Sequence, residues 1–345
     1  MKALLADYTL EEIGTRMQAI GEPNYRALQL YQGVQQGKEW AEMSNLSKAL
    51  KERLSADYDT QGVRILQRLV SKDGTTKYLF ALRDDNVVEG VVMRYHYGNT
   101  ICISTQVGCR MNCAFCASGL DGLVRNLSAG EMLGEVVAAN RDFGGDLKER
   151  AITNVVLMGS GEPLDNYDNV VRFLRLLSAP EGLNISLRNV SLSTCGVVPG
   201  VDRLIEDRLW VTLTFSLHAP TDAIRNRLMP VNKAYPIREV MAAARRYFEA
   251  SGRRVIFEYT LIRGQNDTDE CAAKLAELVR GFPTHVNLIV LNYVKEKGLE
   301  GTPRARAKEF LDALTEAGVS ATIRRTMGAD IEGACGQLRR KYIGN

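Results

Sequence analysis

The chain has 345 residues, 45% of them hydrophobic and 25% charged, with a formal net charge of +3. This length and balance can bury the core of one large domain plus a small accessory one, and they exclude a wholly disordered chain. So small a basic excess does not by itself argue for nucleic acid. Asp7, Glu11 and Glu12 arrive too early for a signal peptide, and no apolar run approaches the roughly 18 residues of a membrane span, so a cytoplasmic protein without membrane contact is expected.

Periodic apolar positions predict helices at 10–20, 25–31 and 46–54, separated by Gly21-Glu22-Pro23 and Gly37. From Gly62 the period changes to two, predicting strands at 63–70, 77–82 and 87–95 with turns at Lys72-Asp73-Gly74 and Asp84-Asp85-Asn86. Beyond Thr100, strands are expected at 101–105, 152–158, 189–193, 209–216, 255–261 and 286–291. Helices are expected between them at 128–140, 166–177, 199–207, 237–251 and 268–280, the first opened by a Ser128/Glu131 capping box. A last helix at 303–318 precedes a short strand near 321–324. The alternation implies an α/β protein of parallel units, either a partial or complete barrel or a doubly wound sheet. The expected divisions are a helical unit at 1–60, a β extension at 61–95, a barrel at 96–326 and a glycine-punctuated tail at 327–345.

Four of the seven cysteines, Cys102, Cys109, Cys113 and Cys116, fall within fifteen residues. In a chain of this length without secretory features, such crowding points to metal or catalysis rather than structural disulfides. Cys109, Cys113 and Cys116 are spaced C-x3-C-x2-C in a loop directly after a strand. Three thiolates can wrap a compact metal centre, yet they complete neither a tetrahedral zinc shell nor a four-iron cluster, so one coordination position stays open. A structural zinc completed by a remote cysteine or by His96 is the competing reading.

This loop resembles the signature of the radical S-adenosylmethionine superfamily, including the aromatic Phe115 before the third cysteine. Gly159-Ser160-Gly161-Glu162-Pro163 after the next expected strand resembles that superfamily's GEP motif. Further strings sharpen the likeness: Leu192-Ser193-Thr194-Cys195-Gly196, Ser216-Leu217-His218-Ala219-Pro220, Met43-Ser44-Asn45-Leu46, and the tail Gly333-Ala334-Cys335-Gly336. Together they resemble the 23S rRNA adenine-C2 methyltransferase family over nearly the whole chain.

The resemblance implies a partial (β/α)6 barrel and a [4Fe-4S] cluster on Cys109, Cys113 and Cys116 with one open iron. It implies S-adenosylmethionine, two per turnover, held by Gly161, Glu162, Ser193, Ser216, Leu217, His218 and Asn292. The substrates implied are 23S rRNA at the peptidyl-transferase centre and tRNA next to the anticodon. A one-electron donor such as flavodoxin or ferredoxin is implied as well. In that family a tail cysteine, here matched by Cys335, carries the methyl group as S-methylcysteine. A second thiol, matched by Cys102, resolves the protein–RNA adduct through a transient disulfide with Cys335. Glu89 matches the proton acceptor, and period two sets it on the face of Val87 and Val91, where apolar surroundings would raise its pKa. Cys102 shares a strand face with Ser104.

Two alternatives stay open: methylation at adenine C8, and a zinc-stabilised RNA-binding protein without catalysis. Basic clusters at Arg304-Ala305-Arg306-Ala307-Lys308, Arg324-Arg325 and Arg339-Arg340-Lys341 could meet phosphates, though such runs are commonly solvated faces. Ser160, and Val290 before Asn292, depart from the family pattern.

Overall fold

The computed structural model describes residues 1–338 and the backbone of 341 and 342. Arg339, Arg340 and positions 343–345 of the expected tail lie outside the described residues. Helices Leu10–Ala19, Asn24–Gln35 and Lys48–Asp57 open the chain. The first begins at a capping box. The Thr9 hydroxyl accepts from the Glu12 amide and the Glu12 carboxylate accepts from the Thr9 amide, satisfying amides that a first turn otherwise leaves unpaired. These helices do not stand apart from the rest: Ile13, Leu30 and Leu50 join one contiguous core with Met132, Val136, Ile101 and Val155. The Asp7 carboxylate accepts from the Gly130 amide at 2.6 Å, in the first turn of helix Ala129–Asp142, where a carboxylate meets the positive end of the helix.

Strands Val63–Val70, Thr76–Leu82 and Asn86–Tyr95 form an antiparallel meander. It is not a separate unit. Asn86–Tyr95 pairs antiparallel with Gly98–Ile103, setting Val91 opposite Cys102, so the meander extends the edge of the main sheet.

Gly98–Ile103 is the first of seven parallel strands. The others follow in chain order: Ile152–Leu157, Val190–Thr194, Thr212–Ser216, Val255–Leu261, Thr284–Val290 and Ala321–Ile323. Strand order never reverses, which excludes a doubly wound sheet. At its two ends the parallel run meets the meander and, on the other side, stops at the short Ala321–Ile323, so the barrel is open. Six expected strands and the short seventh are all present. Helices cover the outside through buried residues such as Phe173, Leu204, Tyr247, Leu275 and Phe310. The carboxyl ends of the parallel strands therefore share one rim, where the loops that follow them build a site.

Candidate active site

After Ile103 the chain forms a short antiparallel pair, Gln106–Gly108 with Leu123–Asn126, that frames the cysteine loop. Gly108 has φ +78, and a Cβ there would lie 1.9 Å from the Gly122 carbonyl oxygen, so only glycine closes this neck. Gln106 ties two loops together. Its amide nitrogen donates to Asn126 and Asp165, both at 2.8 Å, and its oxygen accepts from the Glu162 amide at 2.9 Å.

Cys109, Cys113 and Cys116 line one cavity with Gly161, Glu162, Ser193, Ser216, His218, Asn292 and Cys335. Burial, and then the neighbouring acidic groups, push the Cys109 thiol up to about 12, and the same causes raise Cys113. Such thiols give up their protons on binding a cation, and the metal's charge supplies the driving force. Among the described residues, no three His, Cys, Asp or Glu side chains are arranged to hold a single metal ion. His96 is exposed, edge-on to Tyr97, so the zinc shell completed by His96 is not assembled. The three thiols are spread along one loop that faces polar strand ends across the cavity. Three thiols in one short loop are the donor set that would hold an iron–sulfur cluster.

The Gly159–Glu162 turn sits tightly against the first barrel strand. A Cβ at Gly159 would lie 2.5 Å from the Ile103 carbonyl oxygen, and Gly161 has φ +106. The Glu162 carboxylate accepts from the amides of Cys195 at 2.7 Å and Leu164 at 3.1 Å, while burial raises its pKa. Its oxygens are thus held at fixed positions on the cavity wall. Ser193 and Ser216, on adjacent strands, place their hydroxyls 3.3 Å apart.

His218 has φ +54, and its Nδ1 accepts from the Thr260 amide at 2.9 Å. Burial lowers its pKa to about 3, so the ring is neutral with its proton on Nε2. Phe115 meets the ring edge-on at 4.9 Å.

The Leu217 side chain is fully buried in the main core and does not line the cavity that Ser216 and His218 line. Only its backbone remains near the site.

Sequence reasoning missed the residue that holds these strand ends. Arg225 is fully buried, and its guanidinium donates to the carbonyls of Cys195, Ser216, Leu217 and Tyr235 and to the Asn232 side chain. It lies in a short amphipathic helix, Asp222–Leu228, whose sequence carries no sign of these distant partners.

The tail is docked rather than loose. Gly328 donates to Asp73 at 3.0 Å and the Lys72 amide donates to Asp330 at 3.2 Å, so the turn of the meander grips it. Downstream, the Ala117 amide donates to the Gly336 carbonyl at 2.9 Å and Ser118 to that of Leu338 at 2.8 Å. Cys335 is thereby carried into the cavity, where it is accessible to solvent from the cavity side. Surrounding protein still raises its thiol pKa.

Cys102 lies in an adjoining cavity that Cys335, Arg324, Asn292 and Met158 also line, and burial keeps its thiol protonated. All seven cysteines are free thiols, Cys102 and Cys335 included. Ser104 is buried, and its hydroxyl donates to the Glu89 carbonyl at 2.8 Å.

Glu89 is fully buried, but its surroundings are not simply apolar: the Lys77 ammonium lies 3.0 Å from its Oε1. That partner was not foreseen, because a lysine inside a strand reads as solvent-facing.

The basic clusters are mostly engaged by protein. Arg306 pairs with Asp269 and Glu309, and Lys308 with Asp312. Arg324 points into the cavity, 3.4 Å from Glu258.

The open barrel and its cysteine loop define a radical S-adenosylmethionine enzyme. The model of the Radical SAM superfamily matches residues 103–276, and that of the ribosomal RNA large subunit methyltransferase N-terminal domain matches residues 4–58. A relative in Thermoanaerobacter sp. (strain X514), named "Probable dual-specificity RNA methyltransferase RlmN", is 46% identical over 98% of each chain. One of the same name in Clostridium novyi (strain NT) is 45% identical over the full length of both. The crystal structure of a radical SAM methyltransferase from Sphaerobacter thermophilus superposes with a TM-score of 0.94 at 43% identity, covering 98% of this chain and 99% of that one. The chain belongs to the RlmN family of radical SAM RNA methyltransferases. No helix among the described residues is long and apolar enough to cross a membrane.

Proposed function

We propose that this protein methylates carbon 2 of adenine in 23S rRNA and in tRNA next to the anticodon, through an S-methylcysteine on Cys335. One observation carries the reading. The cysteine loop, the Glu162 turn, the strand-end residues Ser193, Ser216, His218 and Asn292, and the tail's Cys335 all line a single cavity, and Cys102 lines the cavity next to it.

Adenine C2 is neither acidic nor nucleophilic, so polar methyl transfer would favour a ring nitrogen, and radical chemistry avoids that obstacle. The group that fits Cys109, Cys113 and Cys116 is a [4Fe-4S] cluster. Bound there with S-adenosylmethionine, and given an electron by a flavodoxin- or ferredoxin-type donor, it would supply one-electron cleavage of the sulfonium.

The chain's own residues do the rest. Glu162, with its oxygens fixed by two backbone amides, is placed to accept hydrogen bonds from the methionine amine. Ser193, Ser216, neutral His218 and Asn292 offer further polar contacts. Cys335 receives a methyl group at Sγ from one S-adenosylmethionine, which leaves as S-adenosylhomocysteine, and a second would supply the radical chemistry. Glu89 takes the C2 proton. Cys102 frees the product: its sulfur bonds to Cys335 Sγ as the Cys335 S–C bond to the base's methylene breaks. The electron pair of that bond and the Cys102 thiol proton convert the methylene to the C2 methyl, and an external thiol reduces the disulfide before the next turnover. RNA reaches the second cavity, which Arg324 and Arg325 line.

The test is anaerobic reconstitution with iron and sulfide, incubation with RNA, S-adenosylmethionine and a reductant, and mass mapping of the modified adenine. A methyl group at C2, absent from the Cys335→Ala variant, is expected. A colourless protein binding one zinc, or a methyl group at C8, would defeat the reading.

A further inference from the structure

Lys77 stands in strand Thr76–Leu82 and Glu89 in the neighbouring Asn86–Tyr95, on the same face of the meander. Register sets Leu79 opposite Glu89 and Lys77 opposite Val91, so the two charges meet diagonally. The Lys77 side chain is 2% exposed and that of Glu89 is 0% exposed, with Nζ 3.0 Å from Oε1. An ion pair taken this far out of water carries a desolvation penalty on both ions, and it persists where geometry and further hydrogen bonds compensate.

Here a further bond goes to the tail. Lys77 Nζ donates to the Glu332 backbone carbonyl at 2.9 Å. Glu332 adopts a left-handed φ of +50, a conformation that non-glycine residues rarely hold without external restraint. Cys335 follows three residues later. Val91 and Met93, on the same strand face as Glu89, line the cavity that Gly333, Ala334, Cys335 and Leu338 also line. The docked tail thus lies along Glu89's side of the sheet.

We propose that Lys77 is a positioning residue that locks the tail's methyl-carrier arm and Glu89 into one frame, through the ammonium that joins the Glu332 carbonyl to the carboxylate. The inference rests on the reading of Glu89 as proton acceptor. In the step it serves, the C2–H bond of the radical adduct breaks and the proton passes to a Glu89 carboxylate oxygen. The bonding pair stays in the ring, and the unpaired electron returns to the one-electron carrier, which restores the aromatic base. Lys77 lines neither cavity. It keeps the carboxylate aimed, and its second bond registers whether the arm is docked.

The test compares Lys77→Met, Lys77→Arg, Glu89→Gln and the double variant K77M/E89Q in reconstituted enzyme with RNA substrate. Cluster content, S-methylation of Cys335, accumulated protein–RNA adduct, kcat and KM are followed. For K77M we expect normal cluster content, Cys335 methylation slowed only a few-fold by the looser arm, kcat lowered about tenfold or more with KM for RNA little changed, and adduct accumulating. K77R should recover part of the loss. Adding K77M to E89Q should lower turnover by no more than the few-fold share of the loosened arm, because Lys77 otherwise acts through Glu89, and that neutral pair removes both buried charges and so keeps the comparison available if K77M alone does not fold.

Wild-type kcat in K77M, parallel loss of Cys335 methylation and turnover, or additive losses in the double variant would overturn the proposal. If E89Q turns over at the wild-type rate without adduct, the base reading itself fails. If E89Q stalls as adduct while K77M turns over normally, that reading stands and the role of Lys77 falls.

Discussion

The Asn292 side-chain amide donates to the backbone carbonyl of Cys335 at 3.0 Å, so a residue just past the end of strand Thr284–Val290 holds the carrier cysteine at the cavity. Replacing it should loosen the arm without unfolding the barrel. A single neutral hydrogen bond contributes about 1 kcal/mol, or roughly a fivefold effect on a step that needs it. We expect Asn292→Ala to slow S-methylation of Cys335 by about that factor or more, the excess reflecting any lost contact to S-adenosylmethionine. Intact-mass kinetics beside calorimetric titration of the cofactor separate the two contributions. Unchanged methylation kinetics would count against this role.

Arg225 offers a stability prediction. Its guanidinium satisfies four carbonyls and the Asn232 side chain in a fully buried setting. Arg225→Met keeps apolar volume but strands those acceptors, at about 1–3 kcal/mol for each one left wholly unsatisfied. A drop in melting temperature of several degrees or more is expected, with weakened S-adenosylmethionine binding because Ser216 and His218 flank the carbonyls it holds. Differential scanning calorimetry of the reconstituted protein checks this, and a melt matching wild type would refute it.

How much of this could be read from sequence follows from the range of each interaction. The Ser128/Glu131 capping box, the helical periods and the alternation of the meander are local, and each appears where expected, within a few residues. The cysteine loop and the Gly161–Glu162 turn were legible because their chemistry is concentrated in short strings. Lys77, Arg225 and Gln106 were not, because their partners are remote or carry no motif: the Lys77 acceptor lies 255 residues away. Docking of the tail was missed for the same reason, since Asp73 and Lys72 in a turn give no hint of grip on residues 328–330. Leu217 entered the cofactor-holding set through the resemblance alone, and a contiguous string such as Ser216-Leu217-His218 does not tell which of its side chains turn into the core.

Gly161 tests the close approach that the Glu162 turn needs. With φ +106, a Cβ there would lie 2.7 Å from the Gln106 Cβ and the Thr105 hydroxyl oxygen. Gly161→Ala adds backbone strain of about 1–3 kcal/mol to that clash, and the turn should shift, taking the Glu162 carboxylate with it. We expect weaker S-adenosylmethionine binding by about tenfold or more with iron content unchanged, since the cysteines lie on another loop. Equilibrium binding beside iron quantification decides it; unaltered affinity would argue against a cofactor role for this turn.

A pH prediction comes from the network that braces the cysteine loop against the meander. Arg125, in the strand that closes the loop, pairs with Asp84 at 2.6 Å and with Glu131 at 2.8 Å. The hydrogen bond from Arg125 is the main cause holding the Asp84 carboxyl down at about 2, outweighing the opposing effect of burial. An unfolded aspartate titrates near 3.9. Because the folded value is depressed, the stabilisation is fully present above about pH 4 and is lost as pH falls towards 2. Asp84→Asn should therefore be less stable than wild type at neutral pH, and the gap should narrow as pH falls from about 4 to 2. Chemical denaturation midpoints across that range give the answer. A gap that stays constant with pH would show that Asp84 contributes through its turn, where it accepts from Asn86, rather than through its charge.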